Sequence, residues 1–67
     1  MAITLKAARV NKQLTQKEAA EKLGISDRTL YLWENGKCFP DVPQIAKIEE
    51  LYGIPYNDII FLPNNVD

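Results

Sequence analysis

The tightest constraint in this sequence is a pair of helix signals with almost no chain between them. Thr15-Gln16-Lys17-Glu18 has the pattern of a capping box: the Thr15 hydroxyl accepts from the Glu18 amide, and the Glu18 carboxylate reaches back to the Thr15 amide. The helix it opens runs to Leu23, with Ala19, Ala20 and Leu23 turned inward. It stops at Gly24, where glycine supplies the left-handed backbone of a helix end. Ile25 is apolar and Ser26 is a good N-cap, so a second helix starts at once and extends over 26–35. Leu30 and Trp33 lie on its inner side and Asn35-Gly36 is its stop. A linker this short does not suit an antiparallel hairpin of long helices, but it suits two short helices crossing at roughly 90–120°.

The register of small and large residues fits that crossing. Ala20, four residues before Gly24, lets the helices approach closely, and Ile25, Leu30 and Trp33 plug the angle between them. A helix-turn-helix over 16–35 satisfies all of these features together; an ordinary helical hairpin in a small bundle satisfies fewer. The remaining punctuation gives a helix over 5–12 with Thr4 as its cap and Leu5, Ala8 and Arg9 on one face. A fourth helix starts at Asp41-Val42-Pro43-Gln44, groups Ile45, Ile48 and Leu51, and ends at Gly53. After Ile54-Pro55 a last short helix is expected over 56–61, then a tail marked by Pro63-Asn64-Asn65. No strand-like alternation stands beside these patterns. The expected fold is all-α, a compact bundle of four or five helices forming one domain over 1–67.

Composition removes several function classes. The 67 residues are 46% hydrophobic and 25% charged, too apolar for disorder, yet no apolar run approaches the ~18 residues needed to span a bilayer. There is no signal-peptide pattern, and the single Cys38 allows no internal disulfide, so a reducing cytoplasm is expected. With no histidine and one cysteine there is no plausible metal cluster or nucleophile–base pair. No enzyme, cofactor or small-molecule substrate is implied, and Cys38 reads as a loop thiol.

The net charge of −1 looks wrong for a partner of nucleic acid, but its distribution does not. Residues 1–40 carry seven basic side chains against four acidic ones, whereas 41–67 carry Lys47 against five acids. Charges farther away than a Debye length of about 8 Å are largely screened, so a basic half and an acidic half imply one face for phosphate and one turned from it.

These residues resemble the Cro/C1 type of helix-turn-helix, which includes lambdoid phage repressors and many small bacterial regulators. The matching segments are Leu5-Lys6-Ala7-Ala8-Arg9, Leu14 through Ser26, Trp33-Glu34-Asn35-Gly36-Lys37, Pro40 and Leu51-Tyr52-Gly53-Ile54, across roughly residues 3–62. The resemblance implies a lambda repressor-like bundle whose third helix lies in the major groove of DNA. It departs from the pattern at Ala8 and Ala19, where larger aliphatics are common and Trp33 is expected to fill the volume. It departs again at Pro55, in place of a polar cap.

Carried over residue by residue, the resemblance places Ser26, Asp27, Arg28 and Leu32 at base edges, and Gln16, Lys17, Tyr31, Asn35 and Lys37 on the DNA backbone. Arg9 and Glu34 form a structural ion pair tying the first helix to the end of the third. The chemistry agrees with each role without forcing it. Gln16 suits an anion at a helix start or is a solvated first-turn residue. Asn35 is a phosphate contact, a helix cap, or both. Arg28 has the fork that binds guanine O6 and N7, or else grips phosphate, while Asp27 accepts from cytosine or holds Arg28. The expected function is a sequence-specific transcription regulator, a repressor acting as a homodimer on a pseudo-palindromic double-stranded operator. Its dimer surface is sought among Ile54, Tyr56, Ile59, Ile60, Phe61 and Leu62, residues that otherwise finish the core. The alternative is a protein-interaction module, an antitoxin or adaptor, with the same fold and no operator of its own.

Overall fold

The computed structural model describes residues 2–61. In chain order these form β1 (Ile3–Thr4), α1 (Leu5–Asn11), α2 (Gln16–Leu23), α3 (Asp27–Glu34), α4 (Val42–Tyr52), a single 3-10 turn (Tyr56–Asp58) and β2 (Ile59–Ile60). Each helix begins where a side chain replaces a missing intrahelical partner. Thr4 Oγ1 accepts from the Ala7 amide at 3.0 Å, and Ser26 Oγ from the Thr29 amide at 3.1 Å. Both capping boxes close reciprocally: Glu18 N donates to Thr15 Oγ1 at 3.1 Å while Thr15 N donates to Glu18 Oε1 at 2.9 Å, and Asp41 and Gln44 exchange the same pair. The Thr15 amide holds the exposed Glu18 carboxyl below its ordinary range, because it hydrogen-bonds the charged form.

The ends are as specific as the starts. At Gly24 (φ 73°) the chain turns left-handed and the Ile25 amide returns to Ala20 O at 3.0 Å, which closes α2 and aims the chain into α3. The ammonium groups of Lys47 and Lys12 end beside Gly24 and Gly53, at the negative C-terminal ends of α2 and α4.

One buried cluster joins the four helices and β2: Leu5 and Ala8 from α1, Ala19, Ala20 and Leu23 from α2, Leu30 and Trp33 from α3, Ile48 and Tyr52 from α4, and Ile59 from β2; Ile3 of β1 packs against it. On α4 the innermost residues are Ile48 and Tyr52, while Ile45 and Leu51, expected beside Ile48, are half-buried. Trp33 is buried in the same cluster as Ala8 and Ala19.

The last helix expected over 56–61 does not form. Pro55 offers no side-chain cap, the helical turn stops at Asp58, and Ile59–Ile60 run extended beside β1, parallel to it, with Ile3 opposite Ile59 and Thr4 opposite Ile60. β-branched isoleucines favour that conformation, and the free edge of β1 supplies the partner. The helices still make up most of the fold, and this sheet is a minor addition. The expected tail from Pro63 onward, and Leu62 before it, lie outside the described residues.

One turn carries strain. Gln13, between α1 and α2, adopts φ 59° so that the Leu14 amide can close α1 onto Arg9 O at 3.3 Å. A left-handed conformation costs a residue with a Cβ about 1–2 kcal/mol, against about 0.4–1 kcal/mol lost when glycine loosens the unfolded chain. Gln13→Gly should therefore raise the unfolding free energy by about 0.5–1 kcal/mol. A urea midpoint at or below that of the unsubstituted protein would contradict this.

Candidate nucleic-acid interface

α2 and α3 are held at their crossing by Ala20, Leu23, Leu30 and Trp33, all buried, with Ile25 half-buried in the turn. That packing fixes which side of α3 faces outward. Ser26, Asp27, Arg28 and Tyr31 are exposed, and Thr29 and Leu32 are half-buried. Ser26 Oγ is engaged by the Thr29 amide and also shares a hydrogen bond of 2.9 Å with Thr29 Oγ1, so part of its capacity serves the cap. Arg28 and Asp27 make no ion pair with each other among the described residues, so Asp27 does not hold Arg28 in the free protein. Among the described residues the guanidinium of Arg28 has no hydrogen-bond or ion-pair partner, and it stands on the first turn of α3.

Beside this face, three helices meet over one carboxylate. Arg9 Nε donates to Glu34 Oε2 at 2.7 Å and Arg9 Nη2 to Oε1 at 3.3 Å, with the side chains 11% and 3% exposed. Arg9 Nη1 reaches Leu14 O at 2.9 Å, which secures the turn between α1 and α2. Gln16 Nε2 also donates to Glu34 Oε1, at 3.1 Å. The ion pair thus binds α1 to the end of α3, and Gln16 adds the start of α2.

Around it lies a cleft of about 380 Å³ lined by Thr4, Lys6, Arg9, Gln16, Tyr31, Glu34 and Asn35. Three of the residues expected at the DNA backbone, Gln16, Tyr31 and Asn35, therefore share one cleft. Asn35 also caps α3, its Nδ2 donating to Tyr31 O at 2.8 Å. Lys37 and Lys17 are exposed outside it; the Lys37 amide returns to Leu32 O at 2.9 Å past the left-handed Gly36. Thr4 and Lys6 are additions that the sequence reading missed. The signal for Lys6 was present, since it stands three residues before Arg9 and so on the same side of α1.

Comparison with known proteins gives the family. A helix-turn-helix domain family matches residues 2–64. The chain belongs to the helix-turn-helix family. It is 38% identical over 55 residues to an uncharacterized HTH-type transcriptional regulator of Methanocaldococcus jannaschii, covering 82% of this chain and 83% of that protein. It is 42% identical over 50 residues to the HTH-type transcriptional regulator ImmR of Bacillus subtilis, covering 75% of this chain and 39% of ImmR. With the cryptic phage CTXphi transcriptional repressor RstR of Vibrio cholerae the identity is 29% over 52 residues, covering 78% of this chain and 47% of RstR. The chain thus spans less than half the length of the latter two relatives. Among the described residues no helix is long and apolar enough to cross a membrane, and no cluster of acidic, histidine or cysteine side chains is arranged to hold a metal.

The ion pair and its neighbour Tyr52 make opposite stability predictions. Removing one partner strands a buried charge, so Arg9→Met should cost ~3–5 kcal/mol, whereas Arg9→Met with Glu34→Leu should recover most of it. Equal losses for the single and double variants in urea unfolding would refute this account. The Tyr52 hydroxyl, by contrast, is buried with no hydrogen-bond partner among the described residues. Burial first, and the Glu34 carboxylate second, push its phenol up to about 12. The folded protein then keeps a proton that the unfolded chain releases above pH ~10, so stability falls by about 1.4 kcal/mol per pH unit between those values. Tyr52→Phe should flatten that alkaline loss and leave neutral-pH stability unchanged or higher; a steep loss persisting in the variant would be the wrong outcome.

Proposed function

We propose that this chain is a sequence-specific regulator of transcription that lays α3 in the major groove of double-stranded DNA. The observation that carries the reading is an exposed Arg28 on α3, three residues and so about one turn before Tyr31, which lines a cleft of phosphate-type donors with Lys6, Gln16 and Asn35. Base edges are read by Arg28, with Ser26, Asp27 and Leu32 beside it, and the backbone is held by the cleft with Lys17 and Lys37. Occupying an operator is sufficient to block transcription, whereas activation needs a further contact, so repression is the sign we assign.

One α3 offers few base contacts, and a homodimer on a pseudo-palindrome multiplies them. The molecule measures 31 × 27 × 23 Å, so copies centred one duplex turn apart, about 34 Å, stand close enough to touch. The apolar surface for that contact is Tyr56, Ile60 and Phe61, joined by Phe39 from the loop after α3. Phe39 and Tyr56 lie 6.3 and 5.7 Å, centroid to centroid, from the Phe61 ring. Ile59 is buried in the core, which removes it from the expected dimer surface; Ile54 and Phe61 each pack partly against that core, and Leu62 lies outside the described residues.

The charge balance favours a second reading, a protein-interaction module in the cytoplasm with no operator, because net charge is −1 and the acidic groups crowd residues 41–67. Selection of duplexes from a random pool separates the two. The regulator reading expects an enriched palindromic motif, and no preference over random duplex at low salt would defeat it. On the selected site, Arg28→Ala should relax preference at one base pair by about 1–3 kcal/mol. Lys6→Gln should weaken all sequences alike and reduce the salt slope by about 0.9, the value of one neutralised phosphate. An unchanged slope would remove Lys6 from the interface.

A further inference from the structure

The Glu34 carboxylate is buried, yet it takes hydrogen bonds from side chains on two other helices, Arg9 on α1 and Gln16 on α2. A carboxylate only accepts, so the Gln16 atom facing it has to be the amide nitrogen. A carboxamide is otherwise free to present either end, and here one end is dictated. Nε2 carries two hydrogens; one goes to Glu34 Oε1 and the second is left for the cleft that Lys6, Tyr31 and Asn35 share with Gln16. Arg9 makes this arrangement compatible with an anionic ligand, because its guanidinium neutralises the carboxylate beneath the site.

We propose that Glu34 is a positioning residue for phosphate: it sets the Gln16 amide so that the remaining Nε2 hydrogen donates to a backbone phosphate of duplex DNA. This rests on the DNA-binding reading above and adds to it a role for a residue that itself touches no DNA. Glu34→Gln is the informative change. Its single amide oxygen can face Arg9 or Gln16, and the shorter bond from Arg9 Nε claims it. An amide nitrogen then faces Gln16 Nε2, donor against donor. Glu34→Asp acts differently, keeping the charge for Arg9 while withdrawing the oxygen by one methylene.

The test is a double-mutant cycle on the affinity of the full chain for its selected duplex, with the Gln16 side-chain amide followed by NMR in the free protein. Glu34→Gln should weaken binding roughly tenfold when Gln16 is present, as loss of one hydrogen bond to a charged group would. In a Gln16→Ala background the same change should cost less than about twofold, because the group it orients is gone. Glu34→Asp should repeat the pattern, which covers the case in which Glu34→Gln fails to fold. The Gln16 amide protons should stand apart from those of free glutamine in the unsubstituted protein and move toward them in either variant. Equal affinity losses in both backgrounds, or free-glutamine amide shifts in the unsubstituted protein, would overturn the proposal while leaving DNA binding intact. Absence of duplex preference in the unsubstituted protein would instead overturn the DNA-binding reading, and the phosphate role with it.

Discussion

The structure depends on a single buried carboxylate that three helices must satisfy together. Glu34 closes α3, Arg9 rises from α1, and Gln16 opens α2; the carboxylate is fully met only when both other helices are in place. Hydrophobic packing of alanines, leucines and Trp33 brings the helices close, but apolar contacts tolerate sliding. A bidentate guanidinium–carboxylate pair does not, because its hydrogen bonds are directional and the cost of leaving the charge unmet is large. The same pair fixes the floor of the cleft, so the interaction that specifies the fold also shapes the surface offered to a ligand.

Around this centre the fold is assembled by local devices of low individual worth. Side-chain caps at Thr4, Thr15, Ser26 and Asp41 and left-handed ends at Gly24, Gly36 and Gly53 each settle one boundary. Their combined effect is to keep the helices short. A chain of 67 residues cannot build a deep core, and short helices meeting end to side let most inward residues share one cluster. The turn at Gly24 is the device with functional reach, since it decides the angle at which α3 leaves α2 and hence which of its residues face outward.

Much of this was legible in the sequence, and the exceptions have physical causes. Caps, glycine stops and the Ala20–Gly24–Leu30 register act over a few residues, so residue order alone reveals them. Arg9 and Glu34 were paired through the resemblance to the Cro/C1 type, not through spacing. Tyr52 hid in the α4 pattern because its ring is apolar and its hydroxyl is not, so the sequence does not say which end governs its burial. Gln13 gives no sign of its left-handed backbone, which is imposed by the closure of α1. The 56–61 segment was misread because its isoleucines suit a helix face and a strand equally. The deciding partner, β1, lies at the other end of the chain, beyond any local pattern.

That pairing has a further effect. β1 and β2 share one ladder, and Thr4 serves both as its last β1 residue and as the cap of α1. The ladder rungs and the first turn of α1 therefore gain and lose order as one cooperative unit. Once formed, it makes the two edges of the domain a single latch: protection of Ile59 in the core and protection of the α1 cap are the same event.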